Sequence, residues 1–368
     1  MPKKLIVIKV GTSSLTDENG KLDLDKIRNI TDQLSSLHRD GHRLVLVTSG
    51  AIAAGYGKLG FSSRPSSIPD KQASAAVGQG LLMEIYSELF SENDIVCGQI
   101  LLNKDDFADR LRYSNAFNSL EVLLSRRAIP VINENDAVSV DEIRIGDNDT
   151  LSAQVAAMVH ADLLVMVSDI DGLYTADPST DPDASKIETV SYISPELLSS
   201  AAGSSSMNGT GGMITKLRGA LIATSAGVET VLTSYTEEDS IIRSVNGTSS
   251  CTRFLPSEHR LNVRRQWVAF YGISKGNIYI DDNAQDALIK RKASLLSGGI
   301  VAAEGDFLPG DITEVFSMGD HRYIGRGISE FSRNELIKLI SERTASETVI
   351  NRNNFVLTYR YMNGDNDE

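Results

Sequence analysis

Cysteine is nearly absent, and its scarcity sets the first limits. Cys97 and Cys251 are the only two in 368 residues, with no C-x-x-C and no Cys/His cluster, so neither a disulfide framework nor a zinc site is expected and a reducing compartment follows. Long apolar runs are missing too: none approaches the roughly 18 residues that cross a bilayer. The opening MPKKLIVIKVG runs straight into a strand pattern, unlike a signal peptide, which sets the expectation of a cytoplasmic protein. Positive charge is in deficit, with 36 Lys plus Arg against 49 Asp plus Glu and a net of -13. Coating nucleic acid by bulk electrostatics is thereby disfavoured, and an anionic ligand needs a local basic site. The GxxxxGK[ST] phosphate loop is absent as well.

What is present is the balance of a soluble globular chain of two or three domains, with 41% hydrophobic and 23% charged residues, which excludes disorder and collagen-like structure. Charge divides unevenly along it. Residues 257–368 carry 14 basic and 16 acidic side chains, a net of -2, so the remaining -11 falls on residues 1–256. Between the two lies Ser244 to Arg260, rich in Ser, Thr, Asn and Gly, which reads as an exposed connection and a domain boundary.

The first part alternates β-branched runs (Lys4–Val10, Arg43–Thr48, Ile95–Leu101, Ile129–Ile132, Leu163–Ser168, Thr230–Leu232) with segments of helical period (Leu24–Asp40, Asp70–Asn93, Arg112–Arg126, Asn148–His160, Gly212–Ala226). Near-continuous apolar strands separated by helices predict a parallel sheet covered on both faces, a three-layer α/β/α sandwich with ligands at the carboxyl ends of its strands. The second part has short alternating strands at Gly276–Asp281, Gly299–Val301, Gly310–Phe316 and His321–Gly325, which predict a small β-rich barrel.

Five segments carry chemistry. Lys9-Val10-Gly11-Thr12-Ser13 places an ammonium and several donors at a strand end, as a phosphate cradle or as an ordinary turn. Thr48-Ser49-Gly50-Ala51 allows a backbone to approach a ligand, or merely a strand to pack on a helix. Asn133-Glu134-Asn135-Asp136 and Gly146-Asp147-Asn148-Asp149, with Asp141-Glu142 between them, gather carboxamides and carboxylates suited to an amino group, a metal or an organising role between cations. Helix capping alone would account for Asp147 to Asp149, but not for the first cluster. Asp169, at the carboxyl end of an apolar strand, is not explained by the turn that follows it. In Thr210-Gly211-Gly212-Met213-Ile214-Thr215-Lys216, a lysine sits in the first turn of a helix, where the macrodipole disfavours a cation unless an anion binds there; a flexible surface loop is the other reading.

In this order, KVGTSSL, VTSGAIAAG, INENDAV, GDNDTLSA, SDIDGLYTADP and GTGGMITK resemble the amino acid kinase family, over residues 8–216. GNIYID, KASLL, GDFLPGD and GRGI look like a PUA domain with its core at about 275–353, which implies a kinase domain over 1–256 and an appended domain over 257–368. The resemblance implies transfer of the γ-phosphoryl group of ATP, bridged by Mg2+, to the γ-carboxylate of L-glutamate, on the way to proline. It implies that Lys9 and Lys216 hold the phosphates and that Asp169 orients them. Ser49, Asp136, Asn148 and Asp149 would form the glutamate site, with Asp136 taking the α-ammonium group; Lys9, Ser168, Asp169 and Thr210 to Lys216 would bind ATP. Ser168 stands where the family more often has Thr, which keeps the hydroxyl. An already ionised carboxylate acceptor needs no general base, in keeping with the absence of a candidate catalytic histidine. Feedback inhibition by proline, a homo-oligomer and a functional link to the reductase that consumes the acyl phosphate are further implications. The alternatives are a relative acting on acetylglutamate, aspartate or a nucleoside monophosphate, an RNA-binding PUA protein, and a catalytically dead regulatory module. Asp136 favours a free amino group over an N-acetylated one, the acidic balance opposes RNA, and the presence of both lysines opposes the dead module.

Overall fold

The computed structural model describes residues 2–138, 148–178, 180–202, 212–257, 261 and 263–357. Thr210 and Gly211 of the expected nucleotide loop, and Asp141, Glu142, Gly146 and Asp147, lie outside them. Two compact units emerge: Met1–Tyr192 with Leu197–Arg260, and Leu261–Glu368 with Ile193–Glu196.

The first unit runs β1 (Leu5–Val10), α1 (Leu24–Arg39), β2 (Arg43–Val47), α2 (Ala51–Gly55), α3 (Ile68–Ser91), β3 (Cys97–Leu102), α4 (Lys104–Ala108), α5 (Arg110–Ser125) and β4 (Ile129–Glu134). It continues through α6 (Asn148–Met158), β5 (Leu163–Ser168), β6 (Leu173–Tyr174), β7 (Lys186–Ile187), β8 (Thr189–Val190), α7 (Pro195–Ala202, from Leu197 on), α8 (Met213–Ser225), β9 (Glu229–Ser234), α9 (Ser240–Asn246) and β10 (Thr252–Phe254). Among the described residues, eight strands form one sheet in the order β3-β4-β2-β1-β5-β9-β10-β8. Its central pairings are parallel, and β10 runs antiparallel to β9.

Strand alternation sets the two faces. Ile6, Ile8 and Val10 of β1 join Leu44 and Leu46 of β2 and Val165 and Val167 of β5 in one core, closed by Ile27, Ile30 and Leu34 of α1 and by Leu82, Tyr86 and Phe90 of α3. Lys9, on the alternate face, points toward α6 and α8, so the strand that anchors the hydrophobic core also delivers a cation to its other side. The helices start where capping chemistry places them. Asp23 accepts from the backbone of Asp25 and Lys26 ahead of α1, and Ser67 caps α3, with Pro69 in its first turn.

The segment read as an exposed connection is a correction. Its first half is built into the unit: Ser244 and Val245 are buried in α9, and Thr252 and Phe254 are buried in β10. Thr252 Oγ1 accepts from Leu173 N at 2.7 Å and donates to Ile187 O at 2.6 Å, so polar residues that suggest solvent serve instead to tie strands together.

The second unit holds α10 (Val263–Gln266), β11 (Ser274–Ile280), α11 (Asp282–Ile289), β12 (Leu295–Leu296), β13 (Ile300–Gly305), β14 (Ile312–Ser317), β15 (Tyr323–Ile328), α12 (Arg333–Ser341), β16 (Thr348–Ile350) and β17 (Phe355–Leu357). Its larger sheet has the order β13-β11-β14-β15-β17. Ile278, Ile280, Val315, Ile324 and Phe355 form the core with Leu288 of α11 and Leu336 of α12. This is the small β-rich module expected from the alternating pattern. Among the described residues, no helix is long and apolar enough to cross a membrane.

Candidate active site

The carboxyl ends of β1, β2, β4 and β5 gather with the amino ends of α6 and α8. At the centre is Asp149, the second residue of α6, with only 3% of its surface exposed. Lys9 Nζ lies 2.6 Å from its Oδ1 and Lys216 Nζ 3.7 Å from its Oδ2, and both lysines are buried. Thr215 Oγ1 donates to Oδ2 at 2.8 Å. Burial pushes the Asp149 carboxyl up, but the two ammonium groups and the Thr215 hydroxyl outweigh it and hold the pKa down to about 2. The carboxylate is therefore ionised throughout the physiological range. Two lysines and one carboxylate leave a net positive charge in a buried place, which suits a polyanion.

Close helix packing makes this geometry possible. A Cβ at Gly219 would lie 2.9 Å from the backbone oxygen of Asp149, so α8 can pass directly over the start of α6 only because that residue is glycine. The N-cap of α8 is Gly212, which offers no side-chain cap to the first turn, and the N–H groups there suit a phosphate better than a second helix would. Met213 and Ile214 are half-buried along that turn.

Asp169 stands elsewhere. It is exposed after β5 and accepts a hydrogen bond from Ser168 Oγ at 2.9 Å. The carboxylate in contact with both lysines is thus Asp149, which the sequence grouped with the substrate residues, while Asp169 is bonded to Ser168. A capping role for Asp149 was a sufficient local explanation, and the tertiary contacts with residues 140 and 67 positions away in the chain leave no mark on local spacing.

Beside this charge cluster, Asn148 Nδ2 donates to Thr48 O at 2.8 Å, to Ser49 Oγ at 2.8 Å and to Asn133 Oδ1 at 3.1 Å. Ser49 and Asn148, expected together, are together. Asp136 is half-buried and lines a cavity of about 350 Å3 with Glu134, Asn135, Ala51 and residues of α3. Gln79 of α3, which the sequence reading did not single out, also lines it. Under the sheet, Thr48 Oγ1 and Tyr86 OH are 2.8 Å apart, and burial raises the Tyr86 phenol well above its usual pKa.

Residues 4–234 match the model of the amino acid kinase family, and residues 276–349 match that of the PUA domain. Among curated proteins, a glutamate 5-kinase of Streptococcus suis (strain 05ZYH33) is 50% identical over 356 residues, covering 97% of this chain and 99% of that one. A glutamate 5-kinase of Streptococcus pneumoniae (strain Hungary19A-6) is also 50% identical, covering 97% and 96% respectively. Among solved structures, a carbamate kinase from Giardia lamblia bound to AMP-PNP aligns with a TM-score of 0.50 at 18% identity, over 69% of this chain and 99% of that one, a likeness of fold.

Proposed function

The chain belongs to the amino acid kinase family, and on that premise we propose how its residues carry out the reaction of the glutamate 5-kinases it matches from end to end. That reaction transfers the γ-phosphoryl group of ATP to the γ-carboxylate of L-glutamate, giving γ-glutamyl 5-phosphate and ADP, the first step of proline biosynthesis. Both reactants are anionic, and the transferred group spreads charge over its oxygens, so catalysis rests on fixed cations and on positioning.

The observation that carries the assignment is the buried carboxylate of Asp149 between Lys9 and Lys216. In this reading the two lysines grip the transferring phosphoryl group and its oxygens from two sides. Asp149 holds their ammonium groups in place before the substrates arrive, so little reorganisation is left for the transition state. The nucleotide's phosphates lie over the start of α8, between Gly212 and Lys216, with Ser168 and Asp169 on its other flank. Thr210 and Gly211, in the same loop, belong to this nucleotide site by their place in the motif. Mg2+, when bound, would supply positive charge that offsets part of the phosphates' negative charge. Ser49, Asn148 and Asp136 hold glutamate, with Asp136 facing the α-ammonium group and the γ-carboxylate turned toward Lys9. No residue needs to remove a proton, because the acceptor is already ionised.

Proline as an inhibitor at the glutamate site, a homo-oligomer and a functional link to the reductase that consumes the labile acyl phosphate belong to the same proposal. We place the domain boundary at 256/257, with the PUA core at about 275–353. The test is ADP release with L-glutamate, N-acetylglutamate, aspartate and uridine monophosphate as alternative acceptors. Turnover only with glutamate supports the reading; turnover with any other acceptor and none with glutamate would sink it.

A further inference from the structure

The amide relay beside the cavity ends on a donor with nothing to donate to. Thr48 O is a backbone acceptor, so the group Asn148 turns to it at 2.8 Å is Nδ2. At the other side, Glu134 N donates to Asn133 at 2.9 Å, so the atom there is Oδ1. These two backbone groups settle the orientation of both side-chain amides. Asn133 must then present Nδ2 to Gln79, whose Oε1 accepts at 2.9 Å. What remains is Gln79 Nε2, a buried donor with no hydrogen-bond partner, on a residue only 8% exposed that lines the 350 Å3 cavity together with Asp136. Asn148 Oδ1, at the far end of the relay, is also unpartnered. A buried donor left unsatisfied is costly, and such groups mark places where a ligand completes the set.

Backbone packing fixes where this donor sits. A Cβ at Gly78 would lie 1.8 Å from Ala51 O, so the turn of α3 that carries Gln79 is pressed against the first residue of α2, immediately after Ser49 and Gly50. Asp136 and Gln79 both line this cavity, and a carboxylate with an amide is the complement of an α-amino acid zwitterion.

We propose that Gln79 is a substrate-binding, selectivity-determining residue whose Nε2 donates to the α-carboxylate of the amino acid whose ammonium group faces Asp136. This rests on the glutamate reading above and adds the group that recognises the other half of the zwitterion. A site built to donate there rejects acceptors lacking that carboxylate, because the amide would again be left unpaired.

The test compares wild type with Gln79→Glu and Gln79→Met by steady-state kinetics from pH 6.5 to 8.5. Gln79→Glu keeps the oxygen that accepts from Asn133 and alters only the donor. An ionised carboxyl cannot donate, whereas a protonated one can. The expected result is a KM for glutamate raised tenfold or more in Gln79→Glu at pH 8.5, shrinking as pH falls, with the KM for ATP within about twofold of wild type, the loss expected for a hydrogen bond to a charged group. Gln79→Met should raise the glutamate KM by a similar factor at every pH, and it carries the test should the glutamate variant fail to fold. A glutamate KM within about twofold of wild type in the folded variants, or an increase shared equally by ATP, overturns the proposal. Absence of glutamate-dependent ADP release in the wild type would instead overturn the substrate reading, so the two failures are told apart.

Discussion

Replacing Asp149 by Asn removes one negative charge from between two buried lysines while leaving the side chain's shape and its bond from Thr215 nearly intact. At an effective permittivity of about 20, the separations of 2.6 and 3.7 Å correspond to direct attractions of roughly 6 and 4 kcal/mol. Desolvation cancels most of this: lowering the Asp149 pKa from 3.8 to about 2 amounts to a net preference for the charged form on the order of 2 kcal/mol. The substitution costs more than that remainder, because it leaves Lys9 and Lys216 buried close together without their counter-ion, a situation worth about 3–5 kcal/mol. For a unit of this size each kcal/mol moves the melting temperature by about 2–4 °C, so a fall of roughly 10 °C is expected.

The assay is thermal unfolding with and without ADP, alongside ADP release. ADP supplies phosphate charge where Asp149 was, so it should raise the melting temperature of the variant by more than it raises that of wild type. Activity should fall by about 100-fold or more, since the lysines lose their preset positions. Asp169→Asn provides the contrast: its carboxylate is exposed and bonded to Ser168, so its melting temperature should stay near wild type. If Asp149→Asn melts within about 2 °C of wild type, or if Asp169→Asn is the more destabilised of the two, the electrostatic account of this site is wrong.

Acid should act through the same group. Its depressed pKa means that its stabilisation is complete above about pH 4 and is lost as pH falls toward about 2, so the stability gap between wild type and Asp149→Asn should be flat from pH 8 to 5. Urea unfolding at each pH checks this, and a gap that closes between pH 7 and 5 would contradict it. Lys9→Ala and Lys216→Ala should each abolish measurable turnover, but Lys9→Ala should lower the melting temperature further, since the Lys9 pair is the shorter, at 2.6 against 3.7 Å. Equal melting shifts would argue that the two lysines are equivalent partners. Gly78→Ala would put a methyl group 1.8 Å from Ala51 O, forcing α2 off α3. A loss of about 1–3 kcal/mol with a raised KM for glutamate is expected, and unchanged urea stability would refute the packing argument.

The sheet was legible in the sequence because strands buried on both faces are apolar throughout: LIVIKV, RLVLV and LLVMVS lie adjacent in the structure as β1, β2 and β5, parallel and within a residue or two of where they were expected. Strand β10 was not legible. It has three residues, too few to show a period, and Thr252 is buried because its hydroxyl bridges Leu173 N and Ile187 O, which its neighbours in the chain do not foretell. The same reasoning separates the site residues. Lys9, Ser49 and Asn148 stand out as candidates because each sits at a strand end or helix start, a position that local pattern reveals. Asp149 and Gln79 could not be assigned their contacts, because each acts through partners on other elements. Yet each has a sequence correlate in glycine. Gly219 lies on α8, three residues after Lys216, and Gly78 immediately precedes Gln79, and at both positions a Cβ would collide with backbone of a neighbouring helix. A helix-interior glycine costs about 1 kcal/mol relative to alanine. Where one follows a lysine or precedes an amide near a strand-end motif, that cost points to a backbone approach, and the approach is what carries the polar side chain to the site.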